Sequence, residues 1–187
     1  MEKRFEEVLK TIELLSKTET DKIILSAEII SNALKKGKKV LWCGNGGSAA
    51  QAMHFSTELM VKYKTQRTPL PSVSLTADTS LITATGNDFG FEEIFSRQVE
   101  GLGNEGDVLV ALSTSGSSKN VIKAIKTAIA KRMAVIFLTG ADPTEVEDRV
   151  NVVIHVPSKN TPIIQECHQI IGHIIIEELE KKTGDLR

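Results

Sequence analysis

His54 and Glu58 stand four residues apart in a stretch, 48–63, whose pattern predicts a helix. Residues at i and i+4 share a helix face, so this imidazole and this carboxylate can converge on one point. They could ligate one metal ion or work as a base with its partner. A local His–Glu hydrogen bond on a helix surface is the plainer alternative. A second group lies toward the C-terminal end, where Gln165, Glu166, His168, Gln169 and His173 follow Thr161 and Pro162. Thr161 is a capping residue there and Pro162 suits the first helical position. Gln165 and His173 would be about 12 Å apart along the axis and turned about 80° from each other. They reach one ligand only if their side chains lean together or if two subunits build the site. His168, one turn from Gln165, could face the same pocket, whereas His155 reads as structural.

Two short polar segments could hold a ligand without charged side chains. The first is Cys43-Gly44-Asn45-Gly46-Gly47-Ser48; the second is Ser113-Thr114-Ser115-Gly116-Ser117-Ser118. Glycines let the backbone approach a ligand, hydroxyls add donors, and a following helix N-terminus favours an anion. The second segment, with five hydroxyls and no positive charge, suits one phosphate. A polar turn that merely caps the next helix is the alternative. Neither segment is a Walker A loop, and the first lacks the G-x-G-x-x-G spacing of a dinucleotide site. A small phosphorylated metabolite therefore fits better than a nucleoside triphosphate or NAD. Asn87 and Asp88, in the polar-aromatic loop Asn87-Asp88-Phe89-Gly90-Phe91, could hold sugar hydroxyls, or Asp88 could cap the next helix. Cys43 and Trp42 read as packed core residues.

The elements that must carry these residues follow from hydrophobic spacing. Apolar runs at 40–43, 72–75, 107–112, 134–138 and 152–156 predict five strands. Helical stretches fall at 48–63, 91–102, 119–132 and 161–181, with a helical turn ahead of Phe91. Strands that are continuous apolar runs, alternating with helices, point to an α/β fold with a five-stranded parallel sheet flanked by helices. In such sheets ligands bind beyond the carboxyl ends of the strands, where both polar segments fall. The first 36 residues predict two apolar-faced helices that break around 18–21. Their faces need either a partner subunit or the domain's own surface. No linker divides the chain, so residues 1–187 read as one domain with a helical extension over 1–36.

Composition narrows the function. The chain has 187 residues, with 23 Lys+Arg against 24 Asp+Glu. This near-neutral balance argues against a general nucleic-acid or membrane-surface binder. At 41% hydrophobic and 25% charged residues it reads as a folded globular protein. No apolar run approaches a membrane span, and the charged, amphipathic start does not read as a signal peptide. Two cysteines give neither a disulfide framework nor zinc-finger spacing. The expectation is a cytoplasmic protein.

The stretches CGNGGSAAQAMHFSTEL (43–59), GNDFGFEEIFSRQVE (86–100), GDVLVALSTSGSSKNVIKAI (106–125) and IQECHQIIGHIIIEELE (164–180) resemble the sugar isomerase (SIS) domain family. Within it they are similar to the members that isomerise sedoheptulose 7-phosphate. The resemblance implies a flavodoxin-like sandwich with two leading helices. It also implies conversion of sedoheptulose 7-phosphate to D-glycero-D-manno-heptose 7-phosphate through an enediol, the first step toward nucleotide-activated heptose for lipopolysaccharide or capsule. Ser113, Thr114, Ser115 and Ser118 match the phosphate loop. Asn45, Gly46, Gly47, Ser48, Asn87 and Asp88 match positions around the sugar, with Glu58 and Gln165 also facing substrate. Glu58 and His173 match the acid–base pair. His54, Glu58, Gln165 and His173 match the zinc ligands of some members. The resemblance further implies a homotetramer with active sites between subunits. Lys62 departs from the family's Arg, and the two are not interchangeable at bidentate sites. The family also holds non-catalytic proteins, one bound to a replication initiator and others sensing sugar phosphates. Possession of both Glu58 and His173 favours the enzyme.

Overall fold

The computed structural model describes residues 2–183. Two helices lead, α1 (Glu2–Thr18) and α2 (Thr20–Lys35), followed by β1 (Val40–Gly44), α3 (Gly47–Met60) and β2 (Ser72–Ser74). Next come α4 (Thr79–Phe89), α5 (Ser96–Leu102), β3 (Val108–Ser113) and α6 (Lys119–Ala130). The chain continues through β4 (Ala134–Thr139), β5 (Val152–His155) and α7 (Thr161–Thr183).

The five strands form one sheet in the order β2-β1-β3-β4-β5, and every neighbouring pair is parallel. The expected α/β fold is therefore observed. β1 and β3 are buried along their whole length, which is why they read as unbroken apolar runs. Helices cover both faces. One core joins Ile30 of α2, Phe55 of α3 and Ile171 of α7 to Trp42, Val110 and Ile136 of the sheet. The other joins Val99 of α5 and Ile125 of α6 to Leu41, Leu109 and Phe137. α3, after β1, thus lies on one face, and α6, after the adjacent β3, on the other. The crevice between the carboxyl ends of β1 and β3 is the topological switch point where such sheets bind ligands.

The leading helices divide between the alternatives set by their sequence. α2 packs on its own domain, with Ile23, Ala27, Ile30 and Leu34 buried against the core that includes α7. α1 leaves Phe5, Leu9 and Leu14 exposed. The break between the helices is a single residue, Glu19.

Between β2 and α5 the expectation of one helical turn is too small. α4 is an eleven-residue helix. Asp78 caps it by accepting the Leu81 N–H at 3.0 Å, the bond a side-chain N-cap supplies. Asn87 and Asp88 consequently belong to the last turn of α4 rather than to a loop, and Asp88 does not cap the next helix.

Candidate active site

Each polar segment joins a strand to a helix at the switch point. Gly46 and Gly47 open α3, and Asn45 makes a reciprocal amide pair with Asn120 in the first turn of α6, both bonds 2.8 Å. This pair ties the two segments together across the crevice. Ser48 is buried. Gly47 allows a close approach: a Cβ there would lie 2.6 Å from Gln165 Nε2 and push that amide aside.

The hydroxyls of the 113–118 segment bond among themselves. Ser113 Oγ donates to Ser118 Oγ at 3.0 Å and lies 3.4 Å from Ser115 Oγ. Ser115 Oγ accepts from the Ser117 N–H at 3.3 Å. A groove of about 610 Å³ runs along the outer side of the segment, bordered by Gly116, Ser117, Lys119 and Thr144. The lysines of this groove, Lys119, Lys123 and Lys126, pair with Glu92, Glu93 and Glu145.

The titratable side chains gather farther along α3. His54 Nε2 lies 2.9 Å from His173 Nε2 and 3.1 Å from Glu58 Oε1. Glu58 Oε1 is 3.5 Å from His173 Nε2. The i, i+4 pair of α3 thus meets an imidazole from α7, 119 positions away in sequence. Gly172 makes the meeting possible, since a Cβ there would fall 2.1 Å from Phe55 Cζ. α3 and α7 touch at these two residues, and the next residue of one helix and the preceding residue of the other are His173 and His54.

Burial pushes the Glu58 carboxyl above its ordinary range, while the positive fields of His54 and His173 pull against that shift. Its Oε2 is buried without a hydrogen-bond partner. Two imidazole nitrogens and a carboxylate oxygen, all within 4.8 Å of one another, form a donor set suited to a borderline-soft divalent ion such as zinc. A buried carboxylate oxygen lacking a partner fits the same reading.

Gln165 and His168 stand elsewhere. The Gln165 side-chain amide rests against Gly47, and the Gln165 backbone carbonyl accepts from Gln51 Nε2 at 2.7 Å. Gln169 is the amide that reaches the cluster, its Nε2 lying 3.0 Å from His173 Nε2. The i−4 spacing to His173 was the available signal for it. His168 does not face the pocket. It is fully buried, with Nε2 3.3 Å from the Thr139 carbonyl, and burial lowers its pKa to about 4. Asn87 and Asp88 are exposed and hydrogen-bonded to each other at 2.8 Å. His155 is held structurally between the Gly140 carbonyl and Glu147. The Cys43 thiol is buried and pushed up to about 12, so it is a packing group. Tyr63, which the sequence reading used only as a helix end, stacks on His173 at 5.4 Å between centroids.

A parallel sheet with a hydroxyl segment at its switch point, together with a His–Glu–His cluster between α3 and α7, fits a domain that handles a sugar phosphate. The family model described as SIS domain matches residues 4–140, and the chain belongs to that family. Within the family the similarity runs to phosphoheptose isomerases. The phosphoheptose isomerase of Rhodospirillum rubrum is 51% identical over 150 residues, covering 80% of each chain. That of Nitratiruptor sp. is 44% identical over 181 residues, covering 97% of each. The solved phosphoheptose isomerase of Neisseria gonorrhoeae superimposes with a TM-score of 0.89 at 40% identity, covering 95% of both chains.

Proposed function

We propose that this protein is an aldose–ketose isomerase that converts sedoheptulose 7-phosphate to D-glycero-D-manno-heptose 7-phosphate, supplying heptose for lipopolysaccharide or capsule. The observation that carries this reading is the convergence of His54, Glu58 and His173 where α3 meets α7. The names of the relatives that align over almost the whole chain support the choice of substrate.

Isomerisation moves a proton between two adjacent carbons, and its hard step is removing a proton next to a carbonyl. Glu58 takes the proton from C1 and returns it to C2 after the enediol forms. Its raised pKa brings it toward the operating pH, where a general base works best. His173 moves the accompanying proton between O1 and O2. The hydroxyls of Ser113, Thr114, Ser115 and Ser118 hold the phosphate at the far end of the sugar. This fixes orientation, which contributes several kcal/mol. Asn45, Gly46, Gly47, Ser48 and Gln165 line the approach, and Asn87 and Asp88 contact sugar hydroxyls.

Zinc is the cofactor in this reading, held by His54, Glu58 and His173, with Gln165, whose amide lies against Gly47, turning in as a fourth ligand. When bound it would polarise a substrate oxygen. The assembly is a homotetramer in the cytoplasm, with the active sites between subunits. Two groups of exposed apolar side chains support this: Met53, Met60, Val61 and Ile174 around the cluster, and Phe5, Leu9 and Leu14 on α1.

Proton NMR of the protein with sedoheptulose 7-phosphate tests the proposal, run with added zinc and with a chelator. New heptose 7-phosphate anomeric signals are expected, strongest with zinc. Absence of such signals under every metal condition, from folded protein, would favour a module that binds without turnover.

A further inference from the structure

The loop between α3 and β2 is held by an ion pair that the isomerase reading leaves unused. The Glu180 side chain on α7 is only 4% exposed. One of its oxygens accepts the Tyr63 N–H at 3.1 Å, and the other accepts the N–H groups of Lys64 and Thr65 at 3.0 Å each. Arg67 Nε lies 3.2 Å away. Burial raises this carboxyl, but the three amides outweigh it and hold the group below its ordinary range. A charge pair this buried seldom adds net stability, because desolvation offsets the attraction. What it does supply is a fixed geometry, and the geometry leads to the cluster along two branches.

Along one branch, the Arg67 guanidinium donates to the Glu58 carbonyl at 2.7 Å and to the Leu59 carbonyl at 2.8 Å. These belong to the last turn of α3, where carbonyls lack intrahelical partners. Arg67 therefore fixes the backbone that carries the Glu58 carboxyl. Along the other, Glu180 fixes the Tyr63 backbone. The Tyr63 ring stacks on the His173 imidazole with an interplanar angle of 24°. Lys64 steadies the ring from outside, bonded to Glu177 at 2.7 Å and 5.4 Å from the ring centroid.

We infer that Glu180, Arg67 and Tyr63 are positioning residues: the Glu180–Arg67 pair sets Glu58 through its backbone, and Tyr63 sets the His173 ring. This inference rests on the isomerase reading for its kinetic consequence. A positioning error of about 1 Å can reduce turnover about 100-fold.

The experiment compares Tyr63→Phe, Tyr63→Leu, Arg67→Lys and Glu180→Gln in kcat, KM, melting temperature and the side-chain NMR signals of His173. Tyr63→Phe keeps the stack and should keep kcat within about twofold of the parent. Tyr63→Leu should lower kcat about 10- to 100-fold at unchanged KM, and should shift the His173 ring protons downfield as the ring current is lost. Arg67→Lys, which cannot reach both carbonyls as the guanidinium fork does, should lower kcat and leave those protons in place. Should Glu180→Gln fail to fold, Tyr63→Leu and Arg67→Lys still decide. Parental kcat in both, or a rise in KM alone, would overturn the inference. If the parent turns over no sugar phosphate, the isomerase reading falls by itself. The His173 signals then judge the positioning: unshifted in Tyr63→Leu, they overturn it.

Discussion

The hydroxyl segment after β3 carries its donors on neighbouring residues, whereas the acid–base cluster draws on α3 and α7 across 119 positions. The segment is neutral, and its hydroxyls already bond to one another. In the proposed function an arriving phosphate would exchange those bonds for its own, and losing one hydroxyl would leave others in place. The cluster has no such redundancy. Glu58 Oε1 faces both His54 and His173, and the single carboxylate has no neighbour of its own kind in the cluster to replace it. Recognition built locally should fail gradually under mutation; chemistry built by a helix crossing should fail at once.

The sharpest break between the two regions should come from Glu58→Gln. It keeps shape and hydrogen-bonding capacity but removes the proposed base, and general acid–base catalysis contributes about 10²- to 10⁴-fold. A drop in kcat of that size is expected with KM and the melting temperature near parental values. Normal turnover in the folded variant would remove Glu58 from the chemistry. Ser115→Ala is the matching change in the hydroxyl segment. A hydrogen bond to a charged group contributes about 1.5–3 kcal/mol, so KM should rise about 10- to 100-fold while kcat holds. Steady-state kinetics on the same substrate read both. A reversed pattern, with kcat falling and KM steady, would mean the segment does more than hold the phosphate.

The same contrast explains what could be read from the sequence. Both polar segments and the His54/Glu58 pair are local patterns, and the strands show as apolar runs because both of their faces are covered. α4 was hidden because Thr79, Ser80, Thr83, Thr85 and Gly86 are weak helix formers with little apolar stripe; its cap and its neighbours sustain it. The choice between Gln165 and Gln169 depends on how α7 crosses α3. That crossing is set by Gly172 against Phe55, a contact no spacing rule contains. The helical estimate turned Gln165 and His173 about 80° from each other; in the structure both face α3, Gln165 at Gly47 and His173 at His54. No sequence pattern marks Glu180 and Arg67, because their burial exists only once α7 covers the loop after α3.

The smallest effect separates the supports of the two regions rather than the regions themselves. Thr139 pairs in register with Ser113 at the end of β3, and its carbonyl accepts from the Val156 N–H at 2.9 Å as well as facing His168 Nε2. Burial disfavours the charged imidazole, so the folded pKa of about 4 lies below the ordinary histidine value of 6.5. The unfolded chain therefore binds a proton first as pH falls. Stability from the neutral His168 is complete above the unfolded pKa and is lost progressively from there down to the folded value. Between pH 7 and 5.5 the loss should be about 1 kcal/mol. Glu58, whose carboxyl is raised, works in the opposite direction over its own range, so only a difference between proteins isolates His168. Denaturant unfolding of the parent and of His168→Gln at both pH values supplies it. The parent should lose about 1 kcal/mol more than the variant. Equal losses would mean that folding does not lower the His168 pKa, and that the support beneath the hydroxyl segment admits a charge.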